Sequence, residues 1–204
     1  MYDKADIFNL ALGALLLSRR ITDTETDRSN ECTVLNTHYE AAFAATLEDL
    51  DLDSTSSQVT LELIEEEPNE LWLYAYRYPS DCAFLRRLQS AQVMDDRESR
   101  ILLRTTMHDG EKAIYTNQQD AIAEYISRDI NIGSLSAMAG LCVAYKLAVL
   151  SAPLITGKGA ATLRKEIKEE YIRLKADAKE HDKNENFNYV DERLQSEYVK
   201  ARLE

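Results

Sequence analysis

The aromatic run at residues 71–82 constrains the fold of this chain more than any other feature. It reads Leu-Trp-Leu-Tyr-Ala-Tyr-Arg-Tyr-Pro-Ser-Asp-Cys and contains the single tryptophan of the sequence. Bulky aromatic side chains at every second position suit the pleated surface of a strand. Pro79 lacks an N–H for a strand ladder and holds Tyr78 in extended geometry, so it marks the end of the element. We therefore predict an extended segment that anchors a core, followed by a turn.

Two helices are predicted before this run. Asp3 is a good N-cap for the first, whose apolar positions share one face, and Arg19 and Arg20 suit its C-terminal end. Thr26 or Asp27 can cap the second. Its apolar residues recur at steps of three and four, as in an amphipathic helix packed on the first: Cys32, Leu35, Tyr39, Ala42, Phe43 and Leu47.

The pattern changes after the acidic linker at residues 49–57. Val59, Leu61 and Leu63 alternate with polar residues, which predicts one strand with a buried face. A further strand holds Phe84, Leu85 and Leu88. Asp109-Gly110 lies between residues 100–106 and 112–115 and predicts a hairpin. Residues 121–126 fit either another strand or a short helix.

The C-terminal third is predicted to be helical again. Ser134 would cap a third helix at residues 135–150, which is apolar on nearly all sides and therefore suited to the centre of a bundle. Pro153 and Gly157 would end it, and a fourth helix would follow at residues 160–181. After a polar break at residues 182–186, one helix face gathers a second apolar stripe: Phe187, Val190, Leu194, Tyr198 and Ala201. Such a short segment needs either a partner's groove or its own bundle to pack on.

The predicted fold class is α+β and mainly helical. It is a four-helix bundle with an inserted small antiparallel β-sheet and an extended C-terminal tail. Residues 1–182 would form the bundle, with the sheet inserted at approximately 58–126, and residues 183–204 would form the amphipathic tail. The 204 residues suffice for one good core.

Acidic charge is concentrated in one part of the chain. The formal net charge is −12, and residues 48–70 contain nine Asp and Glu but no Lys or Arg. A field of this sign repels phosphate and disfavours the wrapping of nucleic acid. The same residues also fit a solvated surface that keeps the protein soluble.

No catalytic, cofactor-binding or metal-binding residue is predicted. Gly157-Lys158-Gly159 lacks the Ser or Thr and the upstream glycine of a phosphate loop. The three histidines have no partner at metal-ligand spacing, and three scattered cysteines indicate buried free thiols. The acids Glu62, Glu65, Glu66 and Glu67, with Asp49 or Asp51, leave a metal-dependent hydrolase open as an alternative.

The aromatic run, with Tyr-Ala-Tyr and then Pro and Asp-Cys, resembles the head-to-tail adaptor proteins of tailed bacteriophages, the tail tubular protein A group. The order of segments over about residues 7–156 is also similar, from Asn9 and Leu10-Ala11-Leu12-Gly13 through Tyr39 to the alanine-rich helix at residues 137–150. The resemblance implies that residues 121–126 are a strand. It also implies core and sheet anchors at Trp72, Tyr74, Tyr76 and Pro79.

The function implied by the resemblance is structural and not enzymatic. Such a protein forms a closed dodecameric ring beneath the portal, extends the DNA channel and receives the tail tube, nozzle or next tail protein. Genomic DNA would pass without specific binding, and no cofactor or membrane is expected. The protein would be part of the virion, at the head–tail junction, after assembly in the host cytoplasm. From the stripe, we expect portal contact through Phe187, Val190, Leu194 and Tyr198. A tail completion or terminator protein of the same neck is the alternative.

Overall fold

The chain divides into two compact units. The computed structural model describes residues 2–90, 101–157 and 160–203, and for residues 160 and 185–203 it describes the backbone alone. The helical unit comprises Met1–Ser54 and Ile130–Glu204, and the strand unit is Thr55–Asp129.

Four helices build the helical unit: α1 (Lys4–Ala14), α2 (Asn30–Leu50), α3 (Ala137–Ile155) and α4 (Ala160–Leu203). α3 packs against each of the other three. Small buried residues on α3, such as Ala139, Gly140 and Ala144, let its neighbours approach closely. Its central position is therefore as the apolar pattern predicts.

Local chemistry explains where the first helices begin. The Asp3 side chain accepts the N–H of Asp6 and the Asp6 side chain accepts the N–H of Asp3, a reciprocal capping box. The predicted cap at Asp3 is thus confirmed. α2 is capped by Ser29 and α3 by Ser136, so the predictions of Thr26 or Asp27 and of Ser134 are wrong. All six predicted apolar positions of α2 are buried.

In its described residues, the strand unit contains seven strands in two antiparallel sheets. One sheet has the order β1 (Ser56–Thr60), β7 (Ala121–Ser127), β4 (Cys82–Ser90). The other has the order β2 (Leu63–Asn69), β3 (Trp72–Arg77), β6 (Glu111–Thr116), β5 (Leu103–His108). A common core joins residues of both sheets, including Tyr76, Leu88, Ile114 and Tyr125.

The hairpin and the last strand are confirmed. β5 and β6 pair without interruption from Leu103↔Thr116 to His108↔Glu111. Asp109 and Gly110 connect them with φ of 49° and 87°, the left-handed pair that a tight hairpin turn requires. Residues 121–127 are the strand β7.

The predicted fold class is wrong. The strands form two sheets with their own core, so the protein is α+β and not mainly a four-helix bundle with one small inserted sheet. The prediction of a single strand through Val59, Leu61 and Leu63 is wrong, because this segment contains two strands, β1 and β2, with Leu61 between them. The N–H of Leu61 donates to Ala121 in the first sheet, whereas the carbonyl of Glu62 accepts from Arg77 in the second. The chain therefore changes sheets between two adjacent residues, and Leu61 is buried while Val59 and Leu63 are exposed.

The C-terminal helices also differ from their predicted ends. Pro153 lies inside α3, which continues to Ile155. α4 is one helix of 44 residues that runs through the expected polar break at 182–186.

By length and composition alone, α3 could cross a membrane. Half of its most apolar window is buried inside the protein, and a core helix meets the same criteria. Its buried side packs against α1, α2 and α4.

We expect residues 55–129 to fold when expressed alone. The unit is continuous in sequence, has its own core, and its first and last strands are register partners, Ser56 opposite Ile126. The fragment should give a dispersed amide NMR spectrum and a cooperative unfolding transition. Ile114→Ala, at a fully buried site, should lower its stability by about 2–5 kcal/mol, whereas Val59→Ala, at an exposed site, should change it little. An unfolded fragment would contradict this expectation.

Candidate assembly surfaces

Asp49 ties three helices of the helical unit together. Its Oδ2 accepts hydrogen bonds from Lys146 Nζ on α3 at 2.9 Å and from the hydroxyl of Tyr171 on α4 at 2.8 Å. Its Oδ1 accepts from Lys175 Nζ at 3.3 Å. Lys146 also lies over the ring of Tyr171, 5.1 Å from its centroid. One carboxylate at the C-terminal end of α2 therefore positions both α3 and α4.

The ionisation of these groups follows from the same contacts. Burial raises the pKa of Asp49, but hydrogen bonds from Lys146 and Tyr171 outweigh it and lower the pKa to about 2. Burial, and then the hydrogen bond to Asp49, raise the pKa of Tyr171. At neutral pH the cluster is thus a carboxylate held by two ammonium groups and a phenol.

A second tie holds α4 further along. Asp182 is buried, and its Oδ2 accepts the N–H of Asp53 at 2.7 Å while its Oδ1 accepts that of Ser54 at 3.3 Å. These N–H groups begin the 3-10 helix Asp53–Thr55, where a carboxylate is favoured. The sequence predicts a polar break at Asp182, because its neighbouring residues do not indicate a hydrogen-bond partner 129 positions away.

The predicted portal-contact residues lie on the C-terminal part of α4. The backbone at Phe187, Val190, Leu194 and Tyr198 is helical. Their side chains lie outside the described part of the structure, so these positions stay a prediction. α4 measures about 66 Å, whereas α2, at 21 residues, measures about 30 Å. α4 is therefore about twice as long as α2.

The expected anchors of the aromatic run occupy unequal positions. Tyr76 is buried and its hydroxyl donates to the carbonyl of Gln118 at 3.1 Å. Trp72 and Tyr74 are half-buried, as is Pro79, which follows β3. Tyr74 and Tyr76 lie on one face of β3, with ring centroids 6.0 Å apart.

The acids at residues 48–70 are spread over different elements. Asp49 is engaged with Lys146, Lys175 and Tyr171, while Glu62 pairs with Arg77 at 3.5 Å. Glu65, Glu66 and Glu67 belong to the exposed strand β2. Within the described ranges, no three His, Cys, Asp or Glu side chains are grouped so that they could hold a metal ion.

The cysteine thiols are free and buried. Burial raises the pKa of Cys32 and Cys82, and raises that of Cys142 to about 12. Cys82 lines an open groove of 310 Å³ together with Ser80 and Lys112, residue types that a nucleophilic site would use. Its thiol instead donates to the hydroxyl of Tyr78 at 3.1 Å, and a raised pKa keeps it protonated at neutral pH.

A polar chain that the sequence did not indicate crosses one face of the four-stranded sheet. The Nδ1 of His108 lies 2.9 Å from the hydroxyl of Tyr115, and its Nε2 lies 3.5 Å from Glu65 Oε2. These side chains lie above Ala75 and Ala113, which are fully buried. The small alanine side chains leave room for His108, Tyr115 and Glu65 to meet. The alternation of residues along a single strand cannot reveal such a contact between strands.

Exposed apolar side chains are concentrated in the strand unit. Of eleven large exposed apolar residues in the described part of the chain, eight belong to this unit: Val59, Leu63, Ile64, Leu71, Leu73, Phe84, Leu102 and Met107. They lie on or next to strands of both sheets, and Leu63 and Ile64 are adjacent on β2.

We expect Asp49→Asn to lower the free energy of unfolding by about 1–2 kcal/mol at pH 7, because the side chain is 35% exposed and solvent screens part of the effect. The folded pKa of Asp49 lies below its usual 3.8, so its contribution is complete above about pH 4 and is lost as the pH falls towards 2. Urea unfolding of both proteins at pH 7, 5, 4 and 3 measures this. The difference should shrink below pH 4, and Glu48→Gln, at an exposed neighbouring acid, should show none. A difference independent of pH would contradict the role of the charge.

Comparison with models of known protein families finds no match, and no curated protein matches the sequence.

Proposed function

We propose that the protein is a structural subunit of a bacteriophage neck, a head-to-tail adaptor that forms a ring under the portal and extends the DNA channel towards the tail. The observation that carries the proposal is the length of α4 beyond its last described tie. Asp182 is that tie, and the helix continues to Leu203. The remaining part is about 30 Å long, and its sequence is amphipathic.

The spacing of the apolar residues there fits docking into a groove. Phe187, Val190, Leu194 and Tyr198 recur at intervals of three and four, which puts them on one side of a helix. An amphipathic helix commonly binds by laying such a face into an apolar groove of another protein. The portal ring is the partner that the resemblance implies.

The two ties on α4 fit this role. Apolar packing alone allows a helix to slide along its neighbours, whereas the hydrogen bonds that Asp49 and Asp182 accept define its position along the axis. A helix fixed at two points along its axis holds its C-terminal end at a defined distance from the rest of the helical unit. A subunit that connects two large assemblies needs such a defined distance.

The negative net charge of the protein supports the proposal that DNA passes through the ring without binding to it. The net charge is −12, and the acids of β2 are exposed. Such a protein gains little from phosphate contacts, which supply most non-specific affinity for DNA. In a ring around a moving genome, weak attraction is useful because the DNA does not stop.

A truncation tests the docking of α4. Removal of residues 185–204 spares Asp182 and every described apolar contact of α4. We expect the shortened protein to remain folded, with an unfolding midpoint close to that of the full chain. It should fail to bind heads that carry the portal of the same phage, as measured by co-sedimentation.

A matched pair of point variants separates the stripe from the rest of the helix. Leu194→Asp places a charge in the stripe and should abolish binding to portal-bearing heads. Gln195→Asp makes a similar change one position away and should leave binding intact. Normal head binding by the truncated protein, or equal effects of the two variants, would remove the docking proposal. Binding to tail tubes and not to heads would assign a tail terminator instead.

A further inference from the structure

Among the described residues, the four-stranded sheet of the strand unit has two edge strands. In the order β2-β3-β6-β5, β2 and β5 each have one neighbouring strand among the described residues. Open edges offer unpaired backbone N–H and C=O groups to another strand. β5 is regular, with six consecutive partners on β6 and no proline or bulge.

Cross-strand rows show which side chains end at these edges. Glu65, Ala75, Tyr115 and Arg104 form one row across the sheet. An acid therefore stands at the β2 end of this row and a base at the β5 end, on the same face. Leu63, Tyr76, Ile114 and Thr105 form a row on the opposite face, with both end residues exposed.

The two edges are complementary in charge and apolar character. β2 carries three consecutive glutamates, whereas Arg104 is the one formally charged residue of β5 at neutral pH. Leu63 and Ile64 are exposed on β2, at 45% and 36%, and Met107 on β5 is 63% exposed. Glu65 Oε2 lies 3.5 Å from His108 Nε2 of the same copy.

We propose that β5 of one copy pairs with β2 of a second copy, so that the sheets continue from subunit to subunit around the ring. This deepens the proposed function and rests on its ring. Because the sheet has four antiparallel strands, β2 and β5 run in opposite directions. A neighbour in the same orientation therefore presents β2 antiparallel to β5, the more stable arrangement. Such head-to-tail contacts form a closed ring when the rotation closes.

Pairing between like edges is less favourable. Two β2 strands would oppose their glutamates, and like charges opposite each other destabilise a strand pair. Two β5 strands would leave Leu63 and Ile64 uncovered. The contact of β5 with β2 is the one that places Arg104 beside Glu65 and covers apolar side chains on both edges.

The contact is short. The register of β2 shifts between Leu63 and Glu65 and again between Glu66 and Asn69, and Glu67 has φ of 53°, so only Glu65 and Glu66 pair consecutively with β3. A short contact gives weak association of free subunits. Each subunit of a closed ring makes two such contacts, which stabilises the ring by effective concentration.

Thiol crosslinking of the full-length protein tests the pairing. Leu63→Cys and Thr105→Cys place thiols at the two ends of one row, and the native thiols are buried. With a short bismaleimide, the double variant should give a ladder of dimers, trimers and larger species on a denaturing gel. Each single variant and the wild type should remain monomeric. Dimers from Thr105→Cys alone would show pairing of two β5 strands and overturn the proposal, as would dimers from Leu63→Cys alone.

A second pair of variants uses charge. Glu66 lies on the same face as Thr105, in the row that ends at Leu103. Thr105→Glu would bring an acid close to Glu66 of the neighbouring copy and should abolish association in sedimentation velocity, whereas Thr105→Lys should retain or strengthen it. Equal effects of the two, or absence of crosslinks at millimolar concentration, would overturn the edge assignment. Binding to portal-bearing heads is measured separately, so failure of the adaptor role leaves heads unbound by a protein that still forms the ladder.

Discussion

The position of α4 depends on two carboxylates. In its described part, the buried apolar residues of α4 are Ile167, Tyr171 and Ala178, a narrow stripe that would permit sliding by one turn. Asp49 and Asp182 remove that freedom. Asp49 accepts hydrogen bonds from Tyr171 and Lys175 of α4. Asp182, which belongs to α4, accepts them from the backbone N–H groups of Asp53 and Ser54. Loss of either would leave lysine ammonium groups or backbone N–H groups without a partner, which costs more than the net value of the bonds. The helical unit is therefore specified by polar contacts laid over an ordinary apolar core.

The strand unit is specified differently. Its first and last strands pair with each other, so the chain leaves close to where it entered, and a complete core forms between. Charged side chains also help to fix the pairing of strands in this unit. Glu124 is buried and accepts from Arg87 Nε and Gln89 Nε2, each at 2.8 Å. A buried carboxylate must be paired, and these side chains of β4 and β7 hold the sheet register while they satisfy it.

Local patterns predicted the elements better than the architecture. The period of apolar residues located α1 and α2, Asp3 marked a helix start, and Asp109-Gly110 marked a hairpin, because each depends on neighbours within a few residues. The change of sheet at Leu61 depends on backbone partners about 60 and 15 positions away, and alternation of side chains does not encode it. The sequence does not indicate the role of Asp182 for the same reason, because its partners lie 129 and 128 positions away. For the candidate surfaces, the sequence indicated the C-terminal stripe, but the rows that end in Glu65 and Arg104 required the strand order.

The ionisation of the described buried groups supports the structural role proposed above. Burial raises the pKa of the three thiols and of Tyr39, Tyr125 and Tyr171, so none becomes a better nucleophile. Asp49 moves the other way and becomes a permanent anion, committed to two lysines and a phenol. Active sites usually bring a pKa towards neutrality, whereas these shifts move away from it. The surfaces proposed for function are the far end of α4 and the edges of the four-stranded sheet. They belong to different units, so the proposed contact with a partner and the proposed contact between copies use separate residues.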